Sequence, residues 1–350
     1  MINKYHYAPS TWRTQPLHRV PPAPFDPVNP LTKQCLDWIF LVSALNFSFW
    51  SDLEGSSKRF GVTWKSGWDN LTGPDVKWEG YWSLLAALNK ALVQGIPITD
   101  PSFYADPTAC PDSLLEDIFK SSDECTESMP LVHERISIMR QVGKIMVHEI
   151  PGQSYMGLLN SLLASPEKKD NTLALLEIIV ERFPCFRDES VYMGRKVVFW
   201  KRAQILIAET WAAFYPIESS DLHPLLPDGV DGLTMFADYR VPQILQSLGV
   251  LSYSPELVDT LRSTRTLAYA SELESSIRAG GIIAVEELKH CMEELDGAQK
   301  HSDGLGPAYK INSVLIDFFL WDLAKLVENG DHELATLEAL PCHRTRSIYY

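Results

Sequence analysis

Apolar residues three and four positions apart recur through the last two thirds of the chain, and that spacing limits the fold more than any other feature. LVHERISIMRQVGKIMVHEI (131–150), NTLALLEIIVERF (171–183), FWKRAQILIAETWAAFY (199–215) and VPQILQSLGVL (241–251) all carry it. So do 266–295 and NSVLIDFFLWDLAKLVEN (312–329). A stripe with this period buries one helix face against another, so the expected fold is mainly α. Earlier, SLLAALNKALVQG (83–95) predicts a helix stopped by Gly95 and Pro97, and the apolar run 31–50, with Asp37 near its start, predicts a buried helix. The β element is minor. Val62, Trp64, Val76, Trp78 and Tyr81, with Gly and Asn between them, suggest one short hairpin, and VYMGRKVVFW (191–200) a second that runs into a helix. Seven prolines in residues 1–30 mark an extended arm, and 31–350 reads as a single helical domain. The loop 216–231 is the nearest candidate boundary, with no internal repeat and no Gly/Ser linker.

Charge narrows the function. Lys plus Arg number 31 against 45 Asp plus Glu, a formal net charge of −14. So acidic a surface repels nucleic acids and anionic membranes, so no direct nucleic-acid binding is expected. The longest uncharged apolar stretch, Trp38 to Trp50, is short of the roughly 20 residues that span a bilayer. Residues 1–19 show no apolar signal core, and six scattered cysteines form no CxxC pair. The expectation is an intracellular, cytoplasmic, soluble monomer.

Familiar chemistries are missing. There is no GxxxxGK[ST] and no GxGxxG, and the HERIS and HEIPG segments lack the second His of a zinc-protease helix. The nine histidines show no metal-ligand spacing, so no metal and no cofactor is expected. Carboxylates remain, and four segments set polar groups in unexpected places. MFADYRVPQ (235–243) puts Asp238 between Phe236 and Tyr239, ahead of a helix; an N-cap explains it, and so does a carboxylate held functionally beside aromatic rings. LIDFFLWDLA (315–324) sets Asp317 and Asp322 in the most apolar helix, about 140° apart around it, either at the edge of a polar face or gripping different parts of one ligand. Lys201 and Arg202 open a helix, where cations are disfavoured and an anion welcome: a phosphate there, or a solvated face. CHRTRSIYY (342–350) crowds His343, Arg344 and Arg346 against Tyr349 and Tyr350, which reads as a docked segment completing an anion site.

The wording of the segments goes further. ALNFSFWSD (44–52), GYWSLLAALNKAL (80–92), SMPLVHER (128–135), ERFPCFRD (181–188), FWKRAQILIAETW (199–211), MFADYRVPQIL (235–245), IDFFLWD (316–322) and HRTRSIYY (343–350) resemble, in order and spacing, the queuosine 5′-phosphate N-glycosylase family, also called queuosine salvage protein. The likeness spans nearly all of residues 12–350. It implies a helical fold like that of DNA glycosylases. It also implies hydrolysis of the N-glycosidic bond of a small-molecule nucleotide, queuosine 5′-phosphate, to queuine and ribose 5-phosphate. Carried over by motif, Asp238 is the catalytic carboxylate, with Phe236 beside the base, and His18, Asp317 and Asp322 bind the base. Family members often have Tyr after the first acid of the IDFFLWD helix; here Phe318 keeps the ring for stacking and lacks the hydroxyl. The stretch 52–77 is longer than usual. Lys201, Arg344, Arg346 and Tyr350 are the candidates for the 5′-phosphate. Two rival readings are a non-catalytic helical scaffold and a glycosylase acting on DNA bases; intact buried acids speak against the first, and the net charge against the second.

Overall fold

The computed structural model describes residues 7–164, 171–216, 222–300, 310–328, 330 and 339–350. Twelve α-helices and two two-stranded antiparallel sheets are present among them. In chain order, α1 is Pro30–Leu45, the first hairpin pairs β1 (Gly61–Lys65) with β2 (Asp75–Glu79), and α2 is Tyr81–Val93. Then come α3 (Pro101–Ala105), α4 (Asp112–Ile118), α5 (Val132–Glu149), α6 (Tyr155–Leu163) and α7 (Asn171–Arg182). The second hairpin, β3 (Glu189–Tyr192) with β4 (Arg195–Val198), leads into α8 (Lys201–Ala213). The last four are α9 (Arg240–Ser247), α10 (Pro255–Arg262), α11 (Glu272–Lys300) and α12 (Ser313–Glu328). The fold is mainly α, as the periodicity requires, and both hairpins stand where the β signals put them. No helix among the described residues is long and apolar enough to cross a membrane. The loop 216–231 lies partly outside the described residues.

Every residue of α8 is buried, and α1, α7 and a 3₁₀ turn of the arm (Pro9–Thr14) pack around it. Trp12 and Leu17 carry the arm into the main core. A second apolar cluster joins α9, α11 and α12. The functional cavity opens between α8 and α12.

One element ends earlier than the apolar pattern predicts. The helix expected over 31–50 stops at Leu45, and 46–50 runs as irregular chain with Ser48 at φ 53°. The cause lies elsewhere in the sequence. Arg202 and Arg135 donate to the carbonyls of Ala44, Leu45 and Phe47, and Arg59 Nη2 donates to Phe49 O at 2.8 Å. These guanidiniums satisfy carbonyls that a buried helix end would leave orphaned. Ser48 N donates to Tyr350 O at 2.9 Å, which pins the 341–350 segment beside the same chain. Freed from the helix, Asn46, Phe47, Ser48 and Phe49 line the cavity.

Candidate active site

The cavity opens to solvent and is lined by aromatic rings, acids and cations. Asp238, Asp317 and Lys201 cluster at one end of it. Asp238 Oδ1 accepts from the backbone N–H of Arg240 and Val241, at 2.9 and 3.0 Å. It therefore caps α9, and that single oxygen suffices for the cap. Oδ2 carries no hydrogen bond among the described residues, so the same side chain keeps one oxygen for the cavity. The cap reading is seen at Oδ1.

Asp317 Oδ2 accepts from Phe236 N at 2.9 Å. Burial first, then the nearby Asp238, pushes Asp317 well above the usual carboxylate range, with Phe236 N–H and Lys201 opposing. Both effects bias Asp317 toward its neutral form. Lys201 is pushed down by burial and held up by Asp238 and Asp317. The open helix N-terminus imagined as a phosphate site is already served. Asp188 O accepts from Phe199 N and Trp200 N, and its Oδ2 faces Lys201 N at 3.4 Å.

The support behind this end is an ion pair with no exposure. Arg278 Nη1 donates to Asp188 Oδ1 at 3.0 Å and to Glu274 Oε1 at 3.2 Å, and Nη2 donates to Asp188 Oδ2. Its Nε donates to Ala237 O at 2.8 Å, next to Asp238, and its guanidinium lies 4.0 Å from both the Phe199 and Tyr350 ring centroids. One cation therefore fixes the 235–239 loop, the start of α8 and the 341–350 segment together.

The profile of the family described as Queuosine salvage protein matches residues 27–350. The chain belongs to the queuosine salvage protein family. A relative from Schizosaccharomyces pombe is 42% identical over 323 residues, 90% of this chain and 83% of its own. A Mus musculus relative is 36% identical over 98% of this chain and 89% of its own, and one from Sphaerobacter thermophilus is 32% identical over 90% and 81%. All three are named queuosine 5′-phosphate N-glycosylase/hydrolase.

Of the positions that the family resemblance singles out, His18, Phe236, Asp238, Asp317, Phe318 and Asp322 all line the one cavity, with Lys201 and Tyr350. Asp322 lies away from Asp317, where its Oδ2 accepts from Tyr7 OH at 2.6 Å and Gln15 Nε2 approaches at 3.3–3.4 Å. Phe236 and Phe318 sit 5.8 Å apart, ring to ring. His18 packs against Trp12, with centroids 4.2 Å apart, and against Trp82 and Tyr81. Two candidates fall outside the cavity. Arg344 Nη1 pairs with Asp52 at 2.9 Å, and Arg346 lies 3.5 Å over the Trp50 ring while Nη1 donates to Ser48 O. Their charges and faces are committed to the 48–52 chain, so they brace that segment.

Other lining residues carried no sequence signal of function. Arg59, Arg240 and Lys325 reach the cavity from the 52–77 stretch, α9 and α12. Glu54 Oε1 takes Arg240 at 2.8 Å and Arg59 at 3.1 Å, and Glu328 takes Arg240 at 3.1 Å and Lys325 at 2.6 Å. Five ionised groups thus interlock at the rim. Tyr81, Trp82 and Trp321 supply ring faces, Tyr81 and Trp82 from the GYW that opens α2. Glu209 was legible in principle: it interrupts AQILIAETWAA as Asp317 interrupts its own helix.

Proposed function

We propose that this chain hydrolyses the N-glycosidic bond of queuosine 5′-phosphate, releasing queuine and ribose 5-phosphate. The observation that carries the reading is Asp238 in a cavity walled by aromatic rings, with one oxygen locked to the α9 backbone and the other without a hydrogen bond among the described residues. Queuine is a 7-deazaguanine, with carbon in place of N7, so the easiest protonation site of a purine leaving group is gone. Bond breaking then depends on stabilising the positive charge that grows on the ribose. The fixed Asp238 carboxylate offers that stabilisation without reorganising, because its other oxygen is locked to the α9 backbone. Water supplies hydroxide to the sugar carbon and a proton to the departing base, as in other oxocarbenium-type hydrolyses. Burial and its acidic neighbour bias Asp317 toward the neutral form, in which it can donate a hydrogen bond.

The remaining assignments follow the same chemistry. Phe236 and Phe318 stack on the base. Asp322, at a half-buried position, is suited to the cationic amine of the queuine side chain. Lys201 and Tyr350 are our candidates for the 5′-phosphate end; Lys201 is buried at the Asp238 end, where burial lowers it and Asp238 and Asp317 oppose that shift. The test is incubation of purified protein with queuosine 5′-phosphate, with products read by mass spectrometry. Equimolar queuine and ribose 5-phosphate are expected; intact substrate alongside folded protein would refute the reading.

A further inference from the structure

Asn46 lines the cavity, and the proposed chemistry leaves its side chain without a task. The residue is only 8% exposed, yet its amide makes no hydrogen bond to any described residue. Both amide atoms keep accessible surface, and the residue is covered on its other sides, so the amide opens to the cavity. A buried amide normally finds partners within the protein. One that can be reached only from a ligand cavity takes them from water or from the ligand.

The surrounding chain explains why this amide is spare. Asn46 directly follows α1, where an Asn side chain tends to bond nearby backbone. Here the backbone is served by others. Arg202 donates to Ala44 O, and Arg135 donates to Leu45 O and Phe47 O. Asn46 N itself donates to Ser43 O at 3.4 Å. Beyond it, Ser48 N donates to Tyr350 O and Ser48 Oγ to Ser347 O, both at 2.9 Å. Anchors on both sides hold residues 44–48 in place, so the amide is presented from a fixed support.

The same anchors say which end of the cavity it serves. Arg202 follows Lys201, and Tyr350 is the other phosphate candidate, so the segment carrying Asn46 is tied twice to the charged end. Asp322, by contrast, is bonded to Tyr7 and Gln15 of the arm. Lys201 offers a ligand only donors and an ionised Asp238 only acceptors, whereas the neutral amide offers both. A phosphate dianion uses donors alone and a cationic amine acceptors alone; a sugar hydroxyl gives one hydrogen and takes another. We propose that Asn46 holds the ribose hydroxyls of the bound nucleotide, its oxygen accepting from one and its nitrogen donating to the neighbour. This assignment rests on the proposed reaction and adds the sugar to what the site recognises. Contacts to the hydroxyl beside the reacting carbon tighten as the sugar becomes cationic, so Asn46 assists cleavage as well as binding.

The test measures cleavage of four substrates by wild type and Asn46→Ala. They are queuosine 5′-phosphate, its 2′-deoxy and 3′-deoxy analogues, and the analogue that lacks the cyclopentenediol. Comparing the two proteins on each substrate cancels the substrates' differing intrinsic reactivity. On the parent, the variant should lose about 10–100-fold in kcat/KM, and on at least one deoxy analogue the proteins should agree within about threefold. The analogue without the cyclopentenediol should show the full loss. The variant should also unfold in urea at the wild-type midpoint; a lowered midpoint would mean that the amide is spent within the fold and would overturn the proposal. So would no loss on the parent, an undiminished loss on both deoxy analogues, or a loss that vanishes with the cyclopentenediol. If wild type cleaves nothing, the same ligands are titrated calorimetrically. A hydroxyl preference that Asn46→Ala erases then sinks the reaction and keeps Asn46 as a sugar contact, while no preference sinks both. Turnover without the hydroxyl dependence sinks Asn46 alone.

Discussion

The two ends of the cavity hold their side chains by different means. Around Asp238, charge does the work: Lys201 faces two acids, Asp188 serves the start of α8, and Arg278 ties three segments together from behind. Around Glu209, rings do it: Trp12, His18, Tyr81 and Trp82 pack edge and face, and one carboxyl stands among them beside the Tyr81, Trp12 and Ser43 side chains. Dense charge fixes geometry, which suits the end where a cation develops on the sugar. Rings supply flat apolar surface, which suits an end that meets a planar group.

Arg278→Gln attacks the charged end hardest. It leaves Asp188 and Glu274 buried without their cation, and a loss of about 3–5 kcal/mol in urea unfolding is expected. An unchanged midpoint would mean that the ion pair is not what holds that end. Lys201→Ala is next. It should raise KM for the monophosphate about 10–100-fold and move the free nucleoside less than about threefold, as loss of a charged contact demands. Equal losses on both substrates would remove Lys201 from the phosphate.

At the ring end the expected effects are smaller. A Glu209 raised to about 7 in the fold and ordinary when unfolded favours the folded state below about pH 4.5, and that contribution is lost as pH rises through 7. Between pH 6 and pH 8, wild type should lose on the order of 1 kcal/mol more stability than Glu209→Gln. Parallel curves for the two proteins would show that Glu209 does not titrate there. Smallest of all, Phe318→Tyr keeps the ring that packs against Phe236 and should shift KM by less than about threefold; a tenfold gain would reveal a contact waiting for that hydroxyl.

The sequence announced the acids better than it announced their surroundings. Asp238, Asp317 and Asp322 stood out because each breaks an apolar pattern, and the helices and hairpins followed from periodicity and turn residues. Glu209 broke a pattern in the same way, but its meaning depends on Tyr81 and His18, which are distant in sequence and adjacent only in the fold. The end of α1 at Leu45 was invisible for a similar reason: the groups that satisfy it are Arg135, Arg202 and the 341–350 segment. The crowding of Arg344 and Arg346 suggested an anion site, yet direction decides function, and both side chains turn to Asp52, Trp50 and Ser48.

The most direct measurement is single-turnover cleavage of bound queuosine 5′-phosphate by wild type and Asp238→Asn, quenched in time and read by mass spectrometry. Asn can still cap α9, so the variant should fold and bind substrate while cleaving at least about a thousandfold more slowly. Cleavage within about tenfold of wild type would contradict the account and place the reaction on another group.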